Sequence, residues 1–214
     1  NTCYKNNDSF KYLFAPEINS FSVQSQFQNT NLIKVFMPKL IKLNNTYIFD
    51  NTKLTTLDLP SLQIIDGRSF GLGIFEKVNL PSLTRMKNLN HFNSCSQLKY
   101  FQAVNLEQIG SDCFRDCKAL QTVIAPLATI GNDAFFNCSL LNTLSVRESN
   151  EYIFQNFKCS CNVCPKCQGT LRDCLRKGRR FPAMQKIKQF YFEYKELGGC
   201  KMKKKSHYKC YFQN

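Results

Sequence analysis

The chain has 214 residues, a formal net charge of +14 and a hydrophobic content of 43%, with 12 cysteines and no tryptophan. This apolar content is enough for a continuous core, and the length allows one domain of about 140 residues plus a smaller unit. No apolar run approaches the ~20 residues that a membrane-spanning helix needs, so no transmembrane segment is predicted.

A pattern of apolar residues recurs every 21–23 residues between Phe10 and Val146. The pattern reads Leu-x-x-Val, then an apolar residue, then Leu-x-x-Ile, then a phenylalanine, with similar apolar residues at some positions. In the fourth to sixth copies the phenylalanine begins Phe-x-x-Cys. A constant period of this length is typical of a solenoid, in which each coil packs only on its neighbours. The first residues of the seven copies are Phe10, Leu32, Leu54, Phe75, Leu98, Leu120 and Leu141.

The first part of each copy alternates inward apolar residues with other residues, which predicts a short strand. Proline often follows, as at Pro38 and Pro60, and ends the strand because it cannot donate a backbone hydrogen bond. One coil cannot bury its own apolar residues, so neighbouring coils must stack their strands in parallel. The predicted inward residues include Leu57, Val78, Phe101, Val123 and Leu144. A column of aromatic residues is predicted to lie on one face: Phe27, Phe49, Phe70, Phe92, Phe114 and Phe135.

Residues that flank the inward positions of each strand should point outward, and the outer surface of a solenoid is suited to binding rather than to catalysis. The candidate ligand-binding residues are Lys34, Phe36, Lys77, Lys99 and Tyr100. An aromatic ring among lysines is typical of a contact point, but isolated exposed aromatic residues are also ordinary on protein surfaces.

The repeat ends near Arg147, where cysteine density and positive charge both rise. Residues 1–146 hold 13 Lys and Arg against 10 Asp and Glu, whereas residues 147–214 hold 16 against 5. The predicted domains are therefore a solenoid of about seven coils over residues 1–146 and a basic, cysteine-rich C-terminal cap over residues 147–214. A cap is expected because the last coil exposes the apolar edge around Leu141 and Leu144.

The cysteines fall into two main groups. Those of the repeat are predicted to be buried free thiols: Cys95, Cys113, Cys117 and Cys138. Those of the tail are candidates for disulfides: Cys159, Cys161, Cys164, Cys167, Cys174, Cys200 and Cys210. The tail also contains Cys-x-x-Cys, which is a half-site for zinc, but no second half-site follows at a suitable spacing. Disulfides are favoured over a metal, with three bonds in the tail and one cysteine left over.

The tail also carries clusters of positive charge and a predicted helix. The basic residues are Arg176, Lys177, Arg179, Arg180, Lys201, Lys203, Lys204 and Lys205. They suit an anionic polysaccharide such as heparin, whereas the dense cysteines disfavour nucleic acid; a solvated, solubilising surface is the alternative. Apolar residues at three- and four-residue steps predict a helix over residues 182–197, with a strand over 190–194 as the alternative. This helix, Phe154 and Phe157 would cover the last coil.

Residues 106–144, LEQIGSDCFRDCKALQTVIAPLATIGNDAFFNCSLLNTL, resemble the repeat of the BspA-like leucine-rich repeat family. The similarity is close around Ala134, Phe135 and Cys138, covers about residues 10–146, and weakens toward the N-terminus. The resemblance implies an α/β-type leucine-rich-repeat solenoid on a secreted or cell-surface protein that functions in adhesion or recognition, with a protein or glycan ligand that the motif does not identify.

Two functions remain open at this point. The first is recognition of a ligand by the repeat surface. The second is a structural role in a cell wall or cyst wall, in which the repeats and the cysteine-rich tail assemble with polysaccharide into disulfide-linked oligomers. Catalysis is not expected, because the two histidines, His91 and His207, are isolated and no phosphate-binding loop or nucleophile motif is present. No cofactor is predicted either.

Overall fold

The computed structural model describes residues 3–21, 23–44, 46–87, 89–147 and 158–180. In this part of the chain, short strands wind into a parallel β-solenoid and one helix follows near the C-terminal end, which confirms the predicted fold class. The strands are β1 (Tyr12–Phe14), β2 (Ser20–Phe21), β3 (Lys34–Phe36), β4 (Lys42–Leu43), β5 (Ile64–Asp66), β6 (Lys77–Asn79), β7 (Arg85–Lys87), β8 (Tyr100–Gln102), β9 (Gln108–Ile109), β10 (Thr122–Ala125), β11 (Thr129–Ile130) and β12 (Thr143–Val146). The helix, α1, comprises residues 171–180.

The first face of the solenoid carries the opening strand of each coil. β1 pairs with β3, and β6, β8, β10 and β12 form a four-stranded parallel sheet. Leu57 forms a parallel bridge to Val78, and the Thr55 N–H donates to Ile33 O, so the third coil links these two sheets. Seven strand positions therefore stack in order along this face, with six complete turns between the first and the last.

The inward residues of the first face form one line through the core. Val78 pairs with Phe101, Phe101 with Val123, and Val123 with Leu144, so equivalent residues of successive coils lie side by side. All five predicted inward residues are buried, and even Leu57, the most exposed of them, is only 6% exposed. This confirms the strand register, and because side chains alternate along a strand, it also fixes which residues point outward.

The second face carries the Leu-x-x-Ile part of each copy. β2, β4, β5 and β7 form one parallel sheet, and β9 pairs with β11 in another. Leu43 pairs with Ile65 and Ile65 with Met86, and all three are buried. The chain thus turns back across the core once per coil. It buries the second apolar pair in the second to fifth coils, whereas Ile18 and Leu127, which open the pair in the first and sixth coils, are exposed.

The third side carries the predicted phenylalanine column. Successive rings from Phe27 to Phe135 stack with centroids 5.4–5.8 Å apart and with planes within 14° of parallel. All six rings are buried, so the prediction that they share one face is confirmed. Aromatic burial of this size is a major contribution to the stability of a core.

The turn around each phenylalanine depends on two residues in the left-handed backbone region. Asp112 and Asp116 flank Phe114 with φ of 52° and 61°, and Asp133 and Asn137 flank Phe135 with φ of 51° and 59°. Asn and Asp adopt this conformation more readily than most residues because their short polar side chains can form local hydrogen bonds. The turn directs backbone N–H groups along the solenoid axis, as where Asp116 donates to Phe136 O at 2.9 Å.

Helix α1 packs against the last coil and was not predicted from the sequence. Leu171, Cys174 and Leu175 are buried in the same core as the solenoid residues. Gly178 is buried as well, and a Cβ there would collide with the main chain of Leu144, so the close contact requires glycine. The signal was present, because these four residues have the i, i+3, i+4, i+7 spacing of an amphipathic helix that follows Thr170, a good N-cap residue.

Residues Asn1–Arg179 form one compact unit by their contacts, and Arg180–Asn214 form a second. The predicted domain boundary at residue 147 stays a prediction. The helix predicted over residues 182–197 and the two phenylalanines expected to cover the last coil, Phe154 and Phe157, lie outside the described residues.

Candidate functional site

The outward positions of β1 and β3 form the N-terminal part of the first face. Tyr12 pairs with Lys34, and Phe14 pairs with Phe36, while Leu13 and Val35 between them point toward the core. Lys34 and Phe36, which the sequence singled out, are therefore both exposed, with their side chains on the outer surface.

Three of these residues form an exposed aromatic patch, which we define as Tyr12, Phe14 and Phe36. Phe14 is 74% exposed and Phe36 48% exposed, and their rings stack with centroids 5.1 Å apart and planes 5° from parallel. Tyr12, beside Lys34, is 71% exposed. Sequence reasoning missed Tyr12 and Phe14, although Phe14 precedes Phe36 by 22 residues, which is the period of the repeat.

The other candidate residues lie further along the same face. Lys77 pairs with Tyr100 across β6 and β8, and the Tyr100 hydroxyl donates to Gln102 Oε1. Lys99, just before β8, forms an ion pair with Glu76 at 3.0 Å. The five candidates therefore form two groups, one on β1 and β3 and one at β6 and β8, rather than one continuous cluster.

The cysteines of the repeat form a buried column behind the phenylalanines. The Sγ atoms of Cys95, Cys117 and Cys138 donate to the carbonyl oxygens of Phe70, Phe92 and Phe114 at 3.0–3.1 Å. Burial raises the pKa of each of these thiols and also that of Cys113. All four are free and buried, as predicted. In the first two coils the column position holds Thr30 and Thr52, whose buried hydroxyls also donate to phenylalanine carbonyl oxygens.

Four tail cysteines converge in a second arrangement, which we call the cysteine cluster: Cys159, Cys161, Cys164 and Cys167. Their Sγ atoms all lie within 4.8 Å of one another. Sγ of Cys159 lies 3.6 Å from that of Cys161 and 3.6 Å from that of Cys164, and Sγ of Cys167 lies 3.7 Å from that of Cys164 and 4.0 Å from that of Cys161. Within the described part of the chain, no other group of His, Cys, Asp or Glu brings three or more ligand atoms together in this way.

The remaining tail cysteines are not part of the cluster. Cys174 lies on the buried face of α1, where its Sγ donates to Leu141 O at 3.5 Å. Cys200 and Cys210 lie outside the described residues. No disulfide joins the cysteines that the structure describes, and the three predicted tail disulfides stay a prediction.

The thiols of the cluster differ strongly in acidity. Burial raises the pKa of Cys164 to about 11 and also raises the pKa of Cys159. Burial opposes the ionisation of Cys161 as well, but backbone N–H groups, led by that of Asn137, donate to its sulfur and lower its pKa to about 6. Hydrogen bonds to the charged form stabilise it, so Cys161 is better prepared than Cys159 or Cys164 to carry negative charge.

The described members of the basic patch lie on α1. Arg176, Lys177, Arg179 and Arg180 are all exposed. Arg176 forms an ion pair with Asp173 at 2.9 Å. The other members, Lys201, Lys203, Lys204 and Lys205, lie outside the described residues. Among the residues that the structure describes, no helix has the length and apolar character required to span a membrane.

Comparison with known proteins gives one match. A family model for the BspA type leucine rich repeat region matches residues 1–104 and 87–167, in six copies. The match covers the solenoid and reaches the cysteine cluster. No curated protein and no solved structure shows significant similarity to the chain.

Proposed function

Because the chain belongs to the BspA-type leucine-rich repeat family, we propose that it is a secreted or cell-surface recognition protein that binds a protein or glycan ligand through the first face of its solenoid. Proteins of this family are commonly surface and adhesion proteins and are typically not enzymes. The proposal accordingly contains no catalytic step.

The aromatic patch is the observation that carries the proposal. The outward side of a solvated strand normally bears polar residues, yet β1 and β3 place Tyr12, Phe14 and Phe36 there, and the Phe14 and Phe36 rings stack on each other. Exposed, rigid aromatic rings supply large contact areas for a ligand and are enriched among the residues that dominate binding energy. The flat face of a sugar ring or an apolar side chain of a protein could pack on these rings.

Exposed cations fit an anionic ligand. Lys34 lies beside Tyr12 on the same face, and α1 presents four exposed cations on another part of the molecule. Positive charge of this kind attracts an anionic polysaccharide and makes its binding sensitive to salt. A protein ligand held mainly by the aromatic patch would depend less on ionic strength.

A binding screen against sulfated and neutral glycans and extracellular-matrix proteins, followed by substitution, tests the proposal. The double variant Phe14→Ser/Phe36→Ser removes the two stacked rings, and Leu127→Ser, at a site 53% exposed and away from the aromatic patch, is the matched control. Truncation of a binding hot spot costs about 2 kcal/mol, so the double variant should lose at least about tenfold in affinity while the control binds normally.

Two results would contradict the proposal. One is a double variant that folds as wild type and binds with unchanged affinity. The other is native protein that migrates as disulfide-linked multimers in non-reducing electrophoresis, which would favour the structural wall protein instead.

A further inference from the structure

The sulfur positions of the cysteine cluster match the geometry of a tetrahedral metal site. With metal–sulfur bonds of about 2.3 Å, a zinc ion surrounded by four thiolates has sulfur–sulfur edges of about 3.8 Å. Four of the six separations in the cluster are 3.6, 3.6, 3.7 and 4.0 Å, and the other two are within 4.8 Å. Two disulfides would instead require two of these separations to shorten to about 2.05 Å.

The local backbone supports the same arrangement. All four cysteines lie within nine residues, and the turn between the first pair and the second pair passes through Asn162, whose φ is 64°. The Cys164 N–H points at Cys161 Sγ, 3.4 Å away. Backbone N–H groups directed at ligand sulfurs stabilise thiolate charge and hold the ligands in position, which is how outer hydrogen bonds support metal sites.

The cluster also completes the hydrogen bonding of the last coil. In the preceding coils, the residue two positions after the phenylalanine donates its N–H to the next coil, as Ser94 does to Arg115 O at 2.7 Å and Asp116 to Phe136 O at 2.9 Å. The equivalent N–H of Asn137 faces Cys161 Sγ instead. Asp133, on the other side of the same turn, donates to Lys158 O at 2.8 Å. The segment that begins at residue 158 thus supplies acceptors that a further coil would otherwise provide.

We propose that the cysteine cluster binds one zinc ion through four thiolates and that the bound ion fixes the segment that closes the C-terminal end of the solenoid. Four sulfur ligands in a tetrahedron suit zinc or iron. Zinc is assigned because only Cys164 is fully buried, and a site whose other sulfurs are partly exposed to water suits an ion without redox chemistry. The thiol protons are released to solvent as the metal binds. This inference is independent of the proposed ligand-binding function.

Metal analysis of the full-length protein, purified under reducing conditions without chelator, tests the site. We expect one zinc per chain in the wild type and none in Cys164→Ser or Cys167→Ser. Cys174→Ser is the matched control, because Cys174 is a tail cysteine whose sulfur lies against Leu141 O and outside the cluster, so this variant should keep its zinc. Cobalt added to the chelated wild-type protein should give the absorption of tetrahedral tetrathiolate cobalt, a readout that requires no variant to fold.

Amide hydrogen exchange tests whether the metal closes the end of the solenoid. Removal of zinc should increase exchange at the N–H groups of Asp133 and Asn137 and leave that of Phe92, in the middle of the solenoid, protected. The inference is overturned by two disulfides within residues 159–167 in native protein, by four alkylatable thiols without metal, or by full zinc content in both cluster variants. Iron in place of zinc would overturn the assignment of the ion, and unchanged exchange at Asp133 and Asn137 would overturn its capping role.

Discussion

The solenoid and the segment that follows it use cysteine in opposite ways. In the solenoid, Cys95, Cys117 and Cys138 are separated by a whole repeat, and each thiol donates to the phenylalanine carbonyl of the coil before it. In residues 158–180, four cysteines lie within nine residues, and their sulfurs face one another. Cysteines spaced by a whole repeat lie in a row along the solenoid axis, whereas cysteines separated by one or two residues come together at one place.

The surroundings of a cysteine, rather than the number of cysteines, decide whether its thiol stays neutral or can ionise. Column thiols are surrounded by core side chains, so burial raises their pKa and keeps them neutral packing groups. Cluster thiols are only partly buried except for Cys164, and backbone N–H groups point at Cys161. Stability in the solenoid should therefore come from stacked apolar side chains, and stability at its end from contacts that do not repeat.

The largest effect is expected from a break in the stacked column. Phe114 is buried between Phe92 and Phe135, each 5.7 Å away, and also contacts Phe101 at 4.8 Å. Phe114→Ala should lower the free energy of unfolding by about 3–5 kcal/mol, because it removes a large buried ring and leaves a cavity. Denaturant unfolding followed by circular dichroism measures the change. Phe36→Ala, at an exposed ring, should change stability little, and equal losses in the two variants would contradict the assignment of the core.

A smaller effect is expected where α1 meets the last coil. Alanine is favoured over glycine within a helix by up to about 1 kcal/mol, but a Cβ at residue 178 would collide with the main chain of Leu144. Gly178→Ala should therefore destabilise the protein by roughly 1–3 kcal/mol, as overpacking does. Lys177→Ala, at the exposed neighbouring position, is the control and should be close to neutral. Thermal unfolding measures both, and a gain in stability for Gly178→Ala would show that α1 does not pack here as described.

The smallest effect concerns the reactivity of the thiols and requires no substitution. Without metal, and while backbone N–H groups still face its sulfur, Cys161 has its pKa lowered to about 6, so it is mostly thiolate at pH 7 and mostly protonated at pH 5. Its alkylation by iodoacetamide should slow about tenfold between these two pH values, since the thiolate is the nucleophile. Column thiols, whose pKa is raised by burial, should not react at either pH. Peptide mass mapping gives the alkylation rate of each cysteine. Alkylation of Cys95 or Cys138 in folded protein would contradict the predicted difference in reactivity between the column thiols and the cluster thiols.

The solenoid could be predicted because its signal is repeated seven times. The positions of Leu57, Val78 and Phe101 followed from column spacing alone, since a one-residue error in register would have placed polar residues in the core. The exposed ring of Phe36 followed from the same alternation. Phe14 occupies the position equivalent to Phe36 one repeat earlier, so the same column spacing also predicts its exposed ring.

The end of the chain was harder to predict because nothing in it repeats. Helix α1 gives one short amphipathic signal, and Gly178, which permits its closest contact, is normally a sign against a helix. The spacing of the cluster cysteines is consistent either with disulfides or with a metal site, since Cys-x-x-Cys occurs in disulfide-rich and in metal-binding proteins. Only the three-dimensional placement of the sulfurs separates a group of four from separate pairs.

The backbone hydrogen bonds between coils on the third side have one further consequence, because they run in the same direction. From Phe27 donating to Ile48 O to Phe114 donating to Ala134 O, each coil donates its N–H groups toward the C-terminus and accepts from the coil before it. The peptide dipoles of this side therefore add along the axis, as they do in an α-helix, with the positive end at the last coil. A helix places that end at its N-terminus and there attracts anions. In this solenoid the positive end of the summed dipole lies at the C-terminal coil. That end faces the segment that carries the cysteine cluster, and Cys161, whose sulfur the N–H of Asn137 faces, is a thiol there that can bear a negative charge.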